Sequence, residues 1–70
     1  MKQKFIFNER IIESIKSNGY TQKELADMLN ISQSNITNWK NGDSYPNLEL
    51  FFKICVLLDE SADYLLGLDK

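Results

Sequence analysis

The sequence predicts an all-α domain of five short helices, and three observations support this fold class. Hydrophobic residues make up 43% of the 70 residues, and only three glycines and one proline interrupt them, a composition that favours compact helices. Apolar residues recur at intervals of three and four, the period of one helical face. Capping residues precede these segments and helix-ending residues follow them. Because so short a chain holds one hydrophobic core, residues 1–70 are expected to form a single domain.

The first two helices are predicted from their ends. Asn8 to Ser17 forms a helix in which Asn8 is a suitable N-cap, and the Asn-Gly pair at 18–19 ends it. The next segment, TQKE, fits a capping box, in which the Thr21 hydroxyl and the Glu24 carboxylate each accept from the other residue's amide. This second helix should end at Asn30.

The remaining helices follow the same rules. Ser32 caps a third helix, Gln33 to Lys40, so close to the second that only a tight turn fits between them. The loop 41–46 contains the breakers Asn, Gly and Pro. Asn47 caps a fourth helix that is apolar nearly all round, which we expect to be the central core helix. Ser61 caps a short fifth helix that Gly67 ends.

Residues 21–40 have the spacing of a helix-turn-helix. Ala26 is small where the two helices touch, and Asn30 tolerates the positive φ of the turn. Ile36 and Trp39, three residues apart, pin the second helix, so Trp39 is interpreted as core rather than as a stacking platform. Such a motif places its second helix in the major groove of DNA, which is about 12 Å wide, while its first helix crosses the DNA backbone.

Between Asn8 and Gly67 the sequence combines the motifs TQ-ELA, ISQ-I-WKNG, YP and ADYLLG. In this combination it resembles the Cro and phage-repressor type of helix-turn-helix regulator, the XRE family. The resemblance implies a five-helix lambda-repressor-like DNA-binding domain, a double-stranded DNA operator as partner, and transcriptional regulation, usually repression. Asn30 and Asp59 depart from the family, which commonly has Gly at these positions.

The candidate site residues are polar side chains of the two motif helices and the loop after them. The first residues of a recognition helix approach base edges, and Gln and Asn can bond adenine bidentately. Base contacts are therefore predicted from Gln33, Ser34, Thr37 and Asn38. Phosphate contacts are predicted from Gln22, Lys23, Asn35, Lys40, Asn41 and Ser44. The alternative for each is an exposed polar residue that is merely solvated.

Charge and composition exclude several functions. The net charge of −2 argues mildly against nucleic acid, but residues 1–40 carry six basic and four acidic side chains, whereas residues 41–70 carry two and six. No histidine is present and Cys55 is the single cysteine, interpreted as core rather than as a redox sensor, so no disulfide, metal site or cofactor is predicted. No membrane-length apolar run or signal peptide occurs, and a cytoplasmic protein is expected.

Two functions from different classes remain. The first is a repressor that binds as a homodimer to two half-sites about 34 Å apart, with no small-molecule ligand, the chain being either complete or the N-terminal domain of a longer repressor. The second is an antitoxin or accessory subunit whose apolar C-terminal segment docks a partner protein. An enzyme is not predicted, because the acids occupy capping or surface positions. The apolar residues that either pack on the core or form a dimer contact are Phe5, Ile6, Phe7, Leu65, Leu66 and Leu68.

Overall fold

The structure, a computed structural model, describes residues 5–69. Its helices are α1 (Phe7–Ser17), α2 (Gln22–Leu29), α3 (Gln33–Asn41), α4 (Leu48–Leu58) and α5 (Ala62–Leu66). No strand occurs in this range, so the predicted all-α class with five helices is confirmed. None of the helices between residues 5 and 69 is long and apolar enough to span a membrane. The ends of the predicted domain, residues 1–4 and 70, lie outside the described residues.

Side-chain caps begin four of the five helices, as the sequence predicts. The capping box of α2 is complete, with the Glu24 amide donating to Thr21 Oγ1 over 3.1 Å and the Thr21 amide donating to Glu24 Oε1 over 2.9 Å. Ser32, Asn47 and Ser61 each accept from an amide in the first turn of α3, α4 and α5. These bonds satisfy amides that would otherwise lack partners at helix starts.

The predicted N-cap of α1 is wrong. The helix begins at Phe7, one residue before Asn8, and Ile6 occupies the cap position without a side-chain hydrogen bond. Phe7 is buried in the core, and this packing outweighs the preference of Asn for a cap. The Asn8 side-chain amide instead donates to the Lys40 carbonyl over 3.5 Å, linking α1 to the end of α3.

Helices α2 to α5 end in left-handed C-caps that close the last turn, whereas the C-cap of α1, Asn18, is right-handed and is followed by the left-handed Gly19. Asn30 (φ 57°) and Asp59 (φ 52°) have positive φ without being glycine, at the two positions where the sequence departs from the family. After α2 the Asn30 amide donates to the Asp27 carbonyl and the Ile31 amide to the Ala26 carbonyl, the hydrogen-bond pair of a Schellman motif. The predicted turn at Asn30 is therefore confirmed.

The core is formed by residues of all five helices, which lie on the inner faces of the domain. The buried hydrophobic residues are Phe7, Ile11, Ile15, Leu25, Ala26, Leu29, Ile36, Trp39, Ile54, Leu58 and Leu65. The prediction that Trp39 is a core residue is confirmed. Cys55 is half-buried against this core, and its partial burial raises the pKa of its thiol, as the core interpretation predicts and a reactive thiol would not.

The prediction that α4 is the central core helix is wrong. Only Ile54 and Leu58 of α4 are buried, whereas Leu48, Phe52 and Val56 are 83%, 66% and 63% exposed. The sequence shows that α4 is apolar nearly all round, but among residues 5–69 no element packs over its outer side. Apolar composition alone therefore does not tell which side of a helix the rest of the chain covers.

The sequence leaves open whether the apolar residues near the two chain ends pack on the core or form a dimer contact, and burial decides this for two of them. Phe7 and Leu65 are buried and take no part in a surface. Phe5 and Leu68 remain exposed, and Phe5 packs on Phe7 and, edge to face, on Tyr45, with ring centroids 5.2 Å apart in the second pair.

Candidate nucleic-acid interface

The α2–turn–α3 unit is held by small and apolar side chains on its inner side. Ala26 is buried, so its methyl group lets α2 and α3 approach closely. Leu25 and Leu29 of α2 and Ile36 of α3 are buried with it. Only residues 30–32 separate the two helices, with the left-handed Asn30 making the sharp change of direction. The predicted helix-turn-helix at 21–40 is thus present, and α3 extends one residue further, to Asn41.

Helix α3 has one buried and one exposed side. Ile36 and Trp39 are buried, while Gln33, Thr37 and Asn38 are exposed. Within residues 5–69 these three polar side chains make no hydrogen bond to protein, so their donors and acceptors are available to an external partner. A polar helix surface backed by a fixed apolar side is what reading a groove requires.

Ser34 and Asn35 are exposed but already bonded. Ser34 Oγ lies 2.5 Å from Ser32 Oγ, and Asn35 Nδ2 donates to the Ser32 carbonyl over 3.3 Å. The Ser32 cap therefore engages two of the predicted site residues, and each keeps only part of its hydrogen-bonding capacity for DNA. The Ser-x-Ser spacing at the start of α3 is a sequence signal for the contact between Ser32 and Ser34. The prediction from the sequence does not include this contact.

The N-terminus of α2 leaves two amides for an anion. The capping box satisfies the Thr21 and Glu24 amides, whereas the Gln22 and Lys23 amides have no hydrogen-bond acceptor among residues 5–69. The Gln22 side chain is half-buried and the Lys23 side chain is exposed. Helix N-termini favour anions, but the Glu24 carboxylate at the same place opposes them.

The remaining predicted phosphate ligands lie in the last turn of α3 and in the loop that follows it. Lys40, Asn41 and Ser44 are exposed. Gly42, with φ 76°, ends the helix in the left-handed conformation, and its amide donates to the Trp39 carbonyl. These residues are brought close in sequence and space to the C-terminal end of α3, while Gln22 and Lys23 lie at the N-terminal end of α2.

No metal centre accompanies this surface. Within residues 5–69, no three or more His, Cys, Asp or Glu side chains are grouped in a way that could hold an ion.

Comparison with known proteins agrees with this geometry. The helix-turn-helix family model matches residues 11–65. The chain is 39% identical over 62 residues to the HTH-type transcriptional regulator ImmR of Bacillus subtilis (strain 168), covering 89% of this chain and 49% of that protein. It is 33% identical over 61 residues to the HTH-type transcriptional activator BcrR of Enterococcus faecalis, covering 87% and 30%.

A third relative is named for a different role. The antitoxin HipB of Escherichia coli (strain K12) is 41% identical over 46 residues, covering 66% of this chain and 52% of that protein. The chain spans about half the length, or less, of these relatives. Because the family model covers most of the sequence, from α1 into α5, the chain belongs to the helix-turn-helix family, of the XRE type that its motifs indicate.

Proposed function

We propose that the protein is a sequence-specific regulator of transcription that binds double-stranded DNA as a homodimer and inserts α3 into the major groove. The observation that carries this proposal is the division of α3 into a buried side, Ile36 and Trp39, and an exposed polar side. On that exposed side Gln33, Thr37 and Asn38 make no side-chain hydrogen bond within residues 5–69. The relatives ImmR and BcrR, named as transcriptional regulators, support it. We place the protein in the cytoplasm and assign it no enzymatic step.

Base reading is assigned chiefly to Gln33 and Asn38. Both amides are exposed and unbonded within residues 5–69, and an amide can pair with N6 and N7 of adenine, which is worth about 1–3 kcal/mol of discrimination. Thr37 offers a methyl group for contact with a thymine methyl. Ser34 comes second, because its hydroxyl is already bonded to Ser32 Oγ and offers fewer free hydrogen-bonding sites to a base.

Backbone binding is assigned to the two ends of the motif. The Gln22 and Lys23 amides contact one phosphate, and Lys40, with Asn41 and Ser44, contacts another. Lys23 and Lys40 are the only cations assigned to this surface. Four lysines in a dimer correspond to a salt slope of about −4 in log K against log salt concentration, a shallow dependence that keeps non-specific binding weak.

The direction of regulation stays a prediction. Repression is the expectation from the family resemblance, whereas one relative is named an activator. A reporter gene placed behind the selected operator separates the two, since expression falls with a repressor and rises with an activator.

The experiment that tests the proposal compares two alanine variants on a selected operator and on a scrambled duplex. Gln33→Ala should weaken operator binding by about 1–3 kcal/mol while leaving scrambled DNA almost unchanged. Lys40→Ala should weaken binding to both duplexes alike and reduce the salt slope by about one unit per domain. If Gln33→Ala loses the same affinity for the operator and for the scrambled duplex, Gln33 does not read a base.

A second candidate function, an antitoxin or accessory subunit, is favoured by two observations. The likeness to HipB is one, and the exposed apolar residues of α4 are the other. This candidate predicts a stable complex with a protein encoded beside it and no preference among DNA duplexes. Co-purification of the two gene products, followed by binding to a random duplex pool, separates it from the first.

A further inference from the structure

The most exposed of the large hydrophobic side chains in the helices lie along one side of α4. Leu48, Phe52 and Val56 are spaced by four residues, so they follow one another on the same side of the helix, and they are 83%, 66% and 63% exposed. Met28 of α2, 44% exposed, borders the same surface, because it lines a groove of about 320 Å³ together with Phe52 and Val56. We call these four residues the α4 face.

The α4 face shares no residue with the proposed DNA surface, although Met28 lies on α2, the helix that also carries Gln22 and Lys23. None of the residues assigned to base or phosphate contacts belongs to α4. Contiguous exposed apolar surface on a small soluble domain marks an interaction site. The α4 face therefore calls for an occupant other than DNA.

We propose that this occupant is the α4 face of a second copy of the chain, packed antiparallel about a two-fold axis level with the peptide bond between residues 51 and 52. An α-helix rises about 1.5 Å per residue. About this axis, Leu48 of one copy and Val56 of the other therefore lie at nearly the same height along the paired helices, about 1.5 Å apart. Phe52 meets Phe52 at the centre. A two-fold contact requires such a self-complementary surface.

Charge complementarity supports a second copy as the partner. Glu49 and Lys53 are exposed and lie on the same flank of the apolar line, one residue after Leu48 and Phe52. An antiparallel pair brings equal flanks together, and the proposed axis sets Glu49 of one copy within about 1.5 Å, along the helix, of the level of Lys53 of the other. The two Glu49 side chains are about 7.5 Å apart in level. Two crosswise ion pairs therefore flank the apolar contact.

The contact is small, which sets the expected strength. Eleven residues make α4 about 16 Å long and about 10 Å wide, so a single helix pair covers far less than the roughly 800 Å² per partner of a stable complex. We therefore expect a weak dimer of the free protein. Two domains held on neighbouring half-sites have a high effective concentration, and the same contact then holds them together.

This inference deepens the homodimer in the proposed function, and its test uses no DNA. Sedimentation velocity of the 70-residue chain from the micromolar to the millimolar range should show a monomer–dimer equilibrium. Phe52→Glu places two carboxylates at the axis and should raise the dimer dissociation constant roughly tenfold or more. Leu68→Glu, an equal change at an exposed leucine outside the α4 face, is the matched control and should behave as the original protein. Circular dichroism establishes that both variants are folded.

A charge swap tests the antiparallel alignment itself. Glu49→Lys alone and Lys53→Glu alone should each weaken the dimer, and the double variant should restore it. A monomer throughout the concentration range, an effect of Leu68→Glu in place of Phe52→Glu, or a double variant weaker than both single ones would overturn the proposal. Operator binding, measured separately, distinguishes the two claims. If Phe52→Glu loses the self-association of the original protein but the original protein shows no sequence preference for DNA, only the proposed function is contradicted. If the original protein prefers an operator sequence but Phe52→Glu does not change self-association, only this inference is contradicted.

Discussion

Replacing Asp59 by glycine should stabilise the domain, because two features of its position are unfavourable to aspartate. Asp59 has φ 52° at the C-terminus of α4, and the left-handed conformation costs an L-residue about 1–2 kcal/mol, with Asp near the lower limit. Its carboxylate also lies at the negative end of the helix dipole, where an exposed anion costs about 0.3–1 kcal/mol. Against these stands the extra freedom of glycine in the unfolded chain, about 0.5–1 kcal/mol.

The balance is a gain of about 1 kcal/mol in the free energy of unfolding. For a domain of this size, this gain raises Tm by about 4–8 °C, measured by circular dichroism at 222 nm in low salt. Two variants separate the causes. Asp59→Asn keeps the positive φ and removes the charge, so it should recover only the dipole part, and salt should diminish its effect.

Asn30→Gly is the matched control for strain without charge, since Asn30 has φ 57° at the end of α2. It should raise Tm less than Asp59→Gly does. A Tm that is unchanged or lower for Asp59→Gly would refute the reasoning, because neither strain nor dipole could then be significant at this position.

Two further substitutions and one measurement of thiol reactivity test other parts of the structure. Glu24→Gln keeps a capping-box residue and removes the carboxylate beside the Gln22 and Lys23 amides. Tm should fall slightly, because a carboxylate in the first turn stabilises a helix by about 0.3–1 kcal/mol, while affinity for any DNA rises, as measured by fluorescence anisotropy. Trp39→Ala should unfold the domain at 37 °C, since large core truncations cost about 3–5 kcal/mol, and loss of helical circular dichroism would show it. Burial raises the pKa of the Cys55 thiol, so its reaction with a thiol reagent at neutral pH should be slower than that of free cysteine and should accelerate in denaturant.

Local signals in the sequence were enough to predict most of the fold. Thr21 with Glu24, Ser32, Asn47 and Ser61 each provide a cap whose partner is only two or three residues away, so short sequence patterns specify them completely. The failure at Asn8 has the opposite origin. The start of α1 depends on the burial of Phe7 in the tertiary core, which no local pattern records.

The environment of α4 shows a second limit of the sequence. Its apolar residues surround the helix, so hydrophobicity has no clear direction, and the chain covers only the side that carries Ile54 and Leu58. The buried side of α3 was predicted better, because the three-residue spacing of Ile36 and Trp39 fixes which side of that helix faces the core. The bonds of Ser34 and Asn35 to Ser32 were not predicted, because they depend on side-chain rotamers that spacing alone does not determine.

Selection of bound duplexes from a random pool, at a stated salt concentration, tests groove reading by α3 most directly. The account predicts an enriched operator of two inverted half-sites whose centres are about 34 Å apart, and a change of preference at one base position per half-site when Gln33→Ala is used in place of the original protein. No enriched sequence, or the same sequences enriched by Gln33→Ala and the original protein, would contradict it.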